Sequence, residues 1–268
     1  MTKKHISLKI KTPLWTGDVD SKSDLLQSTG IIGSLRWWTE VILRGMDNFV
    51  CDPAGNDRCP KEKEDGNKKI SLYCSACLIF GTTGMRRIFR LEINGGARIF
   101  DGGSINIRPD GRNRGWYLGS GLKERVDLHI ISLNRDFDEN LVLVPLTIVA
   151  KWGGVGAKTQ HGYGILEIEG CPKIDFNDFR NAIEKITEKQ KLSSLKLRLR
   201  SGSNNGLPNL KEMFFAKVQF EVDGDDWWKD VDGIKQVLEP KDRRGKIDKE
   251  MQQKNNKILE GWYDSGSV

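Results

Sequence analysis

A glycine-rich segment, Lys151–Gly164, has residue types and spacing suited to contact with a polyanion. It reads Lys-Trp-Gly-Gly-Val-Gly-Ala-Lys-Thr-Gln-His-Gly-Tyr-Gly, so its last twelve residues hold five glycines. Glycine lets a backbone approach a phosphate chain closely and donate its N–H groups. No Gly-Lys-Ser/Thr closes the segment, which excludes a P-loop. A hairpin with glycine-dependent turns is the alternative, but the crowded polar side chains favour contact with nucleic acid. The candidate contacts are Gly153, Gly154, Gly156, Lys158, Thr159, Gln160 and His161.

Basic and aromatic side chains elsewhere fit the same chemistry. Arg36 would meet a phosphate near a helix N-terminus, or pair with Glu40 one turn along the helix. Trp37 beside it could stack on a base or pack against neighbouring residues. Met85–Arg90 reads as a strand with Arg86 and Arg90 on one face and Arg87 on the other. Basic strands with interleaved aromatics are typical of RNA-binding sheets, and a solvated sheet face is the alternative.

Four cysteines fall close together, as Cys51-x7-Cys59 followed by Cys74-x2-Cys77. Four thiolates can close a tetrahedral zinc site and stiffen a segment that lacks its own core. The first spacing is looser than in a standard zinc knuckle, so free thiols or disulfides remain the alternatives. The fifth cysteine, Cys171, is most simply a small buried apolar residue.

Composition limits the remaining functions. The formal net charge of +6 favours a polyanionic partner. The longest apolar run, Leu141–Ala150, is about half of the roughly 20 residues that a membrane span needs. The first residues contain no apolar signal-peptide core, so we expect a soluble cytoplasmic protein. Histidine occurs only at positions 5, 129 and 161, so groups suited to acid–base catalysis are scarce and no catalytic cofactor or small-molecule substrate is expected.

Hydrophobic periodicity predicts the elements that position these residues. A strand is predicted at His5–Lys11 and a helix at Gly30–Gly45, capped by Ser28 and Thr29. Strands are also predicted at Phe89–Ile93, Val126–Ile130 and Ile165–Glu169. Residues 47–85 read as a cysteine-containing insertion. Asp138–Lys151 fits a buried strand or a helix, and Pro145 favours the helix. The resulting order is βαββαβ, an α+β, ferredoxin-like (RRM-like) domain over residues 1–170.

The remaining sequence predicts a connecting segment and a second unit. Residues 171–205 hold a helix capped by Asp175, with an apolar face of Phe176, Phe179, Ile183 and Ile186, and a polar linker at Ser201–Asn205. Phe214–Val222 alternates as a strand that either joins the first sheet or opens a second ferredoxin-like domain. We therefore assign residues 206–268 as the beginning of a second, incomplete domain.

Four motifs occur in one order: Thr12–Gly17, Thr29–Trp38, Leu78–Gly84 and Gly156–Gly164. Together they resemble the family of first subunits of the Cmr complex, the type III-B CRISPR RNA-silencing effector, within the superfamily of repeat-associated RNA-binding (RAMP) proteins. The resemblance covers residues 1–170 strongly and the remainder weakly. It implies two ferredoxin-like domains, a helix at Asp138–Lys151 with the glycine-rich loop after it, and members that extend well beyond the end of this chain.

The resemblance also implies a function. It predicts a non-catalytic, cytoplasmic RNA-binding subunit that holds the 3′ part of a guide RNA and its single-stranded target in antiviral defence, beside other Cmr RAMP subunits. It implies no membrane partner. One alternative is a metal-independent RAMP endoribonuclease that uses His161 with Lys158 or Tyr163. Another is a stand-alone RNA-binding module.

Overall fold

A four-stranded antiparallel sheet with helices on one face forms the centre of the fold. The computed structural model describes residues 3–17, 23, 25–56, 58–65, 68–98, 104–107, 114–119, 121–170, 172–188, 206–217, 229, 233–242 and 244–263. In chain order the elements are β1 (Lys3–Leu14), α1 (Ser28–Gly45), β2 (Lys61–Asp65), β3 (Lys68–Leu72), α2 (Ser75–Phe80), β4 (Phe89–Arg98), β5 (Ile105–Ile107), β6 (Trp116–Leu118), β7 (Leu122–Ser132), α3 (Asn140–Trp152), β8 (Leu166–Ile168), α4 (Phe176–Glu188), α5 (Ile234–Leu238) and α6 (Lys249–Tyr263).

The sheet interleaves two split βαβ units. Its strand order is β4-β7-β1-β8, and every neighbouring pair is antiparallel. Strand β7 therefore lies between β1 and β4, the two parallel strands joined through α1. Strand β1 lies in the same way between β7 and β8, the two strands joined through α3. This arrangement confirms the predicted ferredoxin-like βαββαβ fold.

Alternating side chains of β1 bury one face of the sheet against the helices. Ile6, Leu8 and Ile10 are at most 5% exposed, and Leu8 lies opposite both Val126 and Ile168 in the register. The predicted apolar stripe of α1 faces them, and its members Ile31, Leu35, Trp38 and Ile42 are all buried. Full burial of an aliphatic side chain contributes roughly 1.5–3 kcal/mol relative to exposure.

Helix α3 confirms the helical interpretation of the ambiguous apolar run. It begins at Asn140, whose N–H donates to Oδ1 of Asp138 at 2.8 Å, and it continues through Pro145. Proline removes one hydrogen bond from a helix interior. Here the cost is offset by burial, because every residue from Asn140 to Leu146 is buried.

The start of α1 differs from the prediction that Ser28 and Thr29 cap it. Gln27 is the N-cap and its side chain makes no capping hydrogen bond. Its N–H instead donates to Oγ1 of Thr16 at 2.9 Å. The helix therefore begins at Ser28, two residues earlier than predicted, where a side chain distant in sequence binds the backbone.

The insertion after α1 packs partly into the core. It contains the β2–β3 hairpin and helix α2, and Leu78, Ile79 and Phe80 of α2 belong to the main hydrophobic cluster. The four cysteines Cys51, Cys59, Cys74 and Cys77 are buried in the same cluster. The expectation of a segment without a core is thus wrong for α2.

The C-terminal elements build a second, smaller cluster. Ile234 and Val237 of α5 and Ile258 and Leu259 of α6 pack with Tyr163 and with residues of the β5–β6 hairpin. In the described part of 206–263 the segment Met213–Lys217 is not a strand, so the predicted strand there is wrong over those residues. A second ferredoxin-like domain stays a prediction. Val218–Val222, Ser201–Asn205 and Cys171 lie outside the described residues.

Helix α4 is confirmed with one change to its predicted apolar face. Asp175 Oδ1 accepts from the N–H groups of Asn177 and Asp178 at 2.7 and 3.2 Å, as expected of a cap. Phe179, Ile183 and Ile186 are buried, whereas Phe176 is 56% exposed.

Among the described residues, no helix combines the length and the apolar character required to cross a bilayer.

Candidate nucleic-acid interface and cysteine cluster

The glycine-rich loop, Gly153–Gly164, joins α3 to β8 and is fixed by its own backbone. Val155 N–H donates to Gly164 O at 3.0 Å, and Ala157 N–H donates to Trp15 O at 2.7 Å. Gly164 N–H donates to Pro13 O at 2.9 Å, and Gly156 N–H donates to Oγ of Ser34 at 2.9 Å. The expectation that these N–H groups are free to bind phosphate is therefore wrong for most of the loop, because the protein itself accepts them.

Steric limits explain the glycines at 153, 156 and 164. A Cβ on Gly164 would lie 1.9 Å from Val155 O, and one on Gly156 would lie 2.5 Å from Trp15 O. Both residues also have positive φ, +72° and +86°. A Cβ on Gly153 would lie 2.6 Å from a ring carbon of Trp38. These glycines serve close packing inside the protein, which supports the hairpin-like interpretation of their role.

The polar side chains of the loop lie at its outer end. Thr159–His161 forms a single 3-10 turn, and Thr159 and Gln160 are exposed. Lys158 precedes the turn in the left-handed region, with φ of 60°. Its ammonium nitrogen lies 3.0 Å from the centroid of the Trp15 ring, and burial lowers the pKa of this lysine. RNA contact by these four residues stays a prediction.

Tyr163 is fully buried and hydrogen-bonded. Its hydroxyl accepts from Gly119 N–H at 2.6 Å and donates to Gly119 O at 3.1 Å. Burial raises the pKa of this phenol. The side chain therefore links the glycine-rich loop to the second cluster and has no exposed surface to offer a substrate.

Next to the loop lies an aromatic patch, which consists of exposed Trp37 and Phe215 and half-buried Trp152. The centroids of the Trp152 and Phe215 rings are 5.4 Å apart, and the two ring planes are tilted by 31°. Buried Trp38 connects the patch to Trp37 at 5.1 Å and to Phe215 at 6.1 Å. Trp37 is 42% exposed and Phe215 is 36% exposed. The neighbouring Phe214 is 96% exposed.

Two lysines flank the aromatic patch. Nζ of Lys151 lies 5.2 Å from the Trp152 ring centroid, and Nζ of Lys217 lies 6.0 Å from it. Both lysines are exposed. Cations and stacked aromatic faces side by side are the combination that single-stranded nucleic acid recognises. The structure thus brings predicted Trp37 and Gly153 together with four residues that the sequence analysis does not name as candidate contacts: Trp152, Phe215, Lys151 and Lys217.

The sequence contains a signal for these four residues. Lys151 and Trp152 begin the glycine-rich segment, and Phe215 and Lys217 lie in the stretch Phe214–Val222, whose alternation predicts a strand. Two adjacent aromatic residues followed by Lys217 fit an exposed aromatic surface as well as they fit a strand. The packing of residues 206–217 against α1 distinguishes these two interpretations. That packing includes a hydrogen bond from Arg44 Nη1 to Pro208 O at 3.1 Å and an ion pair between Lys211 and Asp47 at 2.7 Å.

The predicted basic strand Met85–Arg90 is wrong for its first half. Strand β4 begins at Phe89, so Arg86 and Arg87 precede it. The turn Thr82–Met85, closed by a pair of backbone hydrogen bonds, ends directly before these two arginines. Arg90 lies on β4 and pairs with Glu92. Strand β4 is the edge of the sheet opposite β8, so Arg90 is separated from the glycine-rich loop by the width of the sheet.

Arg36 extends from α1 into the cysteine cluster. Its guanidinium donates to Glu40 Oε1 at 2.9 Å, to Gly81 O at 2.8 Å and to Cys77 Sγ at 3.2 Å. The predicted pair with Glu40 is therefore present. Glu40 also accepts from Arg44 at 3.4 Å, and burial raises the pKa of this carboxyl against the opposing effect of the two arginines. Phosphate binding by Arg36 stays a prediction that would require it to release these partners.

The cysteine cluster gathers four sulfurs from distant points of the insertion. Cys51 follows α1, Cys59 precedes β2, Cys74 precedes α2 and Cys77 lies in its first turn. All four Sγ atoms lie within 4.8 Å of one another, and the four residues are at most 6% exposed. Four thiols in such an arrangement are the donor set of a tetrahedral metal site.

Several solved structures are distantly similar to this chain. Cmr1 from Pyrococcus furiosus, in its apo form, is 13% identical over 71% of this chain and 61% of its own, with a TM-score of 0.38. A chain of the type III-B Cmr-beta complex bound to cognate target RNA is 13% identical over 65% of this chain and 60% of its own, with a TM-score of 0.39. A chain of a type IV-B CRISPR complex is 10% identical over 66% of this chain and 98% of its own, with a TM-score of 0.40.

The chain spans about three fifths of the length of the first two of these structures. No curated protein sequence matches it. One protein-family model does match the chain. The model of the RAMP superfamily matches residues 7–167. This range includes α1, α3 and the central sheet apart from the first residues of β1 and the last residue of β8. The chain therefore belongs to the RAMP superfamily.

Proposed function

We propose that this chain is a non-catalytic RNA-binding subunit of a type III-B CRISPR (Cmr) complex, where it holds the 3′ part of the guide RNA and its single-stranded target. Membership of the RAMP superfamily supports an RNA-associated role. The motifs at Thr12–Gly17, Thr29–Trp38, Leu78–Gly84 and Gly156–Gly164 support the Cmr assignment.

The aromatic patch is the observation that carries the proposal. Trp152 and Phe215 place two rings in contact, tilted by 31°, beside exposed Lys151 and Lys217. Every base has a π-face, so stacking on such rings tolerates any sequence and contributes about 1–3 kcal/mol per base. A subunit that holds many different guides needs this kind of contact.

The glycine-rich loop limits where the RNA backbone would run. Most of its backbone N–H groups bind the protein, so contacts would come from Thr159, Gln160 and His161 at its outer end. The loop begins at Gly153, which packs on Trp38 beneath the aromatic patch. A strand of RNA stacked on the patch would therefore continue along the exposed side of the loop.

The structure offers little support for a nuclease, because the groups that would act with His161 are engaged in other contacts. A nuclease would require Tyr163 or Lys158 to act with His161. Tyr163 is buried with its hydroxyl bound to Gly119, and Lys158 lies on the Trp15 ring. General acid–base catalysis needs the acting groups within hydrogen-bond reach of the reacting atoms. We therefore place His161 among the RNA contacts.

Binding of labelled single-stranded RNA to the purified chain tests the proposal. We expect affinity to decrease with salt, because phosphate contacts release counterions. Lys151→Ala and Lys217→Ala should each reduce the slope of log K against log salt by about 0.7 per lost phosphate contact. Lys185→Ala is the matched control, since Lys185 lies on α4 and pairs with Asp136. An affinity that does not change with salt would contradict the proposal.

Two further measurements address the complex and the chemistry. Sequencing of RNA that copurifies with the tagged protein from its native cells should recover guide RNAs. Incubation with repeat RNA in the absence of divalent ions should leave the RNA intact. Products with cyclic phosphate ends that disappear in His161→Ala would establish the nuclease instead.

A further inference from the structure

We propose that Cys51, Cys59, Cys74 and Cys77 bind a structural Zn²⁺ ion as four thiolates, and that Arg36 positions and compensates the charge of this site. The inference does not depend on the proposed RNA function. It assigns metal binding to the four buried thiols of the insertion, and it gives Arg36 a role different from phosphate binding.

The distances between the sulfurs match a tetrahedral site. Cys51 Sγ lies 3.6 Å from Cys77 Sγ and 3.7 Å from Cys74 Sγ. A regular tetrahedron with Zn–S bonds of 2.3 Å has sulfur–sulfur edges of about 3.8 Å. Cys59 completes the set, because all four Sγ atoms lie within 4.8 Å of one another. Sulfur ligands and this geometry select Zn²⁺ or iron, and oxygen-preferring cations are excluded.

Nitrogen donors aimed at the sulfurs provide a second observation. Arg36 Nη2 donates to Cys77 Sγ at 3.2 Å, and Cys74 N–H donates to Cys59 Sγ at 3.2 Å. Arginine has no acceptor, so the Cys77 sulfur must accept this bond. Groups that hydrogen-bond to metal ligands orient them and tune the site. An arginine directed at a buried sulfur is what a thiolate carrying negative charge requires.

Charge balance explains the arginine further. Binding converts four S–H groups to four Zn–S bonds, each formed by a sulfur lone pair, and releases up to four protons to solvent with no change of oxidation state. The resulting centre, Zn²⁺ with four thiolates, carries a net charge of −2. The Arg36 guanidinium offsets part of this charge, and Glu40 and Gly81 O hold it in place.

The site has a route of entry and a structural purpose. A cavity of about 390 Å³ is lined in part by Cys51, Cys59 and Cys77, and Arg36 and Thr82 also contribute to its wall. The ion would join the segment after α1, the β2–β3 hairpin and α2. Of the hairpin side chains that the structure describes, Leu72 is the buried one, so this hairpin gains little stability from its own apolar contacts.

Metal analysis of the purified chain tests the proposal. We expect about one zinc per chain, and we expect Cys74→Ser to lose it. Cys171→Ser is the matched control and should retain it, since Cys171 is the cysteine outside the cluster in sequence. Iron in place of zinc, two disulfides detected by mass spectrometry without reductant, or full zinc retention in Cys74→Ser would each overturn the proposal.

Cobalt substitution of the wild-type chain keeps the test independent of whether Cys74→Ser folds. Tetrahedral Co²⁺ with four thiolates gives intense visible bands and sulfur-to-cobalt charge transfer, and absence of both would reject the site. Arg36→Ala should lower Zn²⁺ affinity about 10–100-fold. It should also shift the charge-transfer band to lower energy, because the Cys77 thiolate loses its hydrogen bond. Arg90→Ala should change neither, and an unshifted band in Arg36→Ala would refute the role of Arg36.

Discussion

The ammonium nitrogen of Lys158 lies 3.0 Å from the centroid of the Trp15 ring. The two residues are also joined through the backbone, because Ala157 N–H donates to Trp15 O at 2.7 Å. The outer end of the glycine-rich loop is therefore attached to the residue that follows β1 by both a side-chain contact and a backbone contact.

This contact should contribute to stability. Lys158→Met keeps the apolar stem and removes the charge, so we expect it to lower the free energy of unfolding by about 0.5–1 kcal/mol. Urea denaturation of Lys158→Met, Trp15→Leu and the double variant gives the coupling energy between the two side chains. Additive effects of the two substitutions would show that the ammonium–ring contact contributes nothing.

Gly164 and Gly162 form a matched pair within the loop. Both have positive φ, +72° and +81°, but a Cβ on Gly164 would lie 1.9 Å from Val155 O, whereas a Cβ on Gly162 has nothing within 4 Å. Gly162→Ala should cost only the backbone strain, about 1–2 kcal/mol. Gly164→Ala should cost at least about 2 kcal/mol more in urea denaturation, because backbone must move as well. Equal effects would mean that the loop relaxes freely.

Phe215 allows a test of base stacking. Phe215→Ala removes one face of the aromatic patch, and we expect RNA affinity to weaken by about 1–3 kcal/mol, roughly 5- to 160-fold in Kd. Phe176→Ala on α4 is the control, because this ring is also exposed but lies away from the patch. Fluorescence anisotropy with labelled single-stranded RNA measures both. If the two variants bind equally well, the patch serves another partner.

Tyr163 predicts a change in alkaline stability. Burial raises the pKa of its phenol in the folded protein, so the folded state keeps this proton at pH values where the unfolded chain loses it. The contribution of Tyr163 is present below pH about 10 and is lost as the pH rises through the folded-state pKa. Tyr163→Phe should show a smaller loss of unfolding free energy above pH about 10 than the wild type does.

The same variant should be less stable at neutral pH. It leaves Gly119 N–H without the hydroxyl that accepts from it, which costs about 1–3 kcal/mol. Chemical denaturation at pH 7 and at a series of alkaline pH values measures both effects. Parallel pH curves for Tyr163→Phe and the wild type would contradict the alkaline prediction.

Periodicity was enough to predict the central sheet. Ile6, Leu8 and Ile10 alternate because one face of β1 is buried, and Leu35 and Trp38 follow a helical stripe because α1 packs against that face. Local patterns failed where distant groups decide the structure. Thr16 binds the backbone of Gln27, which moves the start of α1, and the turn at Thr82–Met85 leaves Arg86 and Arg87 outside β4.

The candidate site was predicted only in part for a similar reason. Trp37 and Gly153 could be recognised from their neighbours in sequence, whereas Phe215 reaches the aromatic patch through contacts more than sixty residues away along the chain, with Trp152 and Trp38. The clustering of Cys51, Cys59, Cys74 and Cys77 followed from spacing alone. The contact between Arg36 and Cys77 could not be predicted from the sequence. An arginine on α1 could equally bind RNA or a cysteine sulfur, and only the tertiary structure distinguishes the two.

The interleaved strand order has a consequence for synthesis on the ribosome. Strand β1 emerges first, yet its neighbours in the sheet are β7 and β8, which end at residues 132 and 168. The backbone of β1 therefore stays without its strand partners while more than a hundred further residues are translated. Domains generally fold as units during translation, so we expect the sheet to close in one late step, once β8 has left the ribosome.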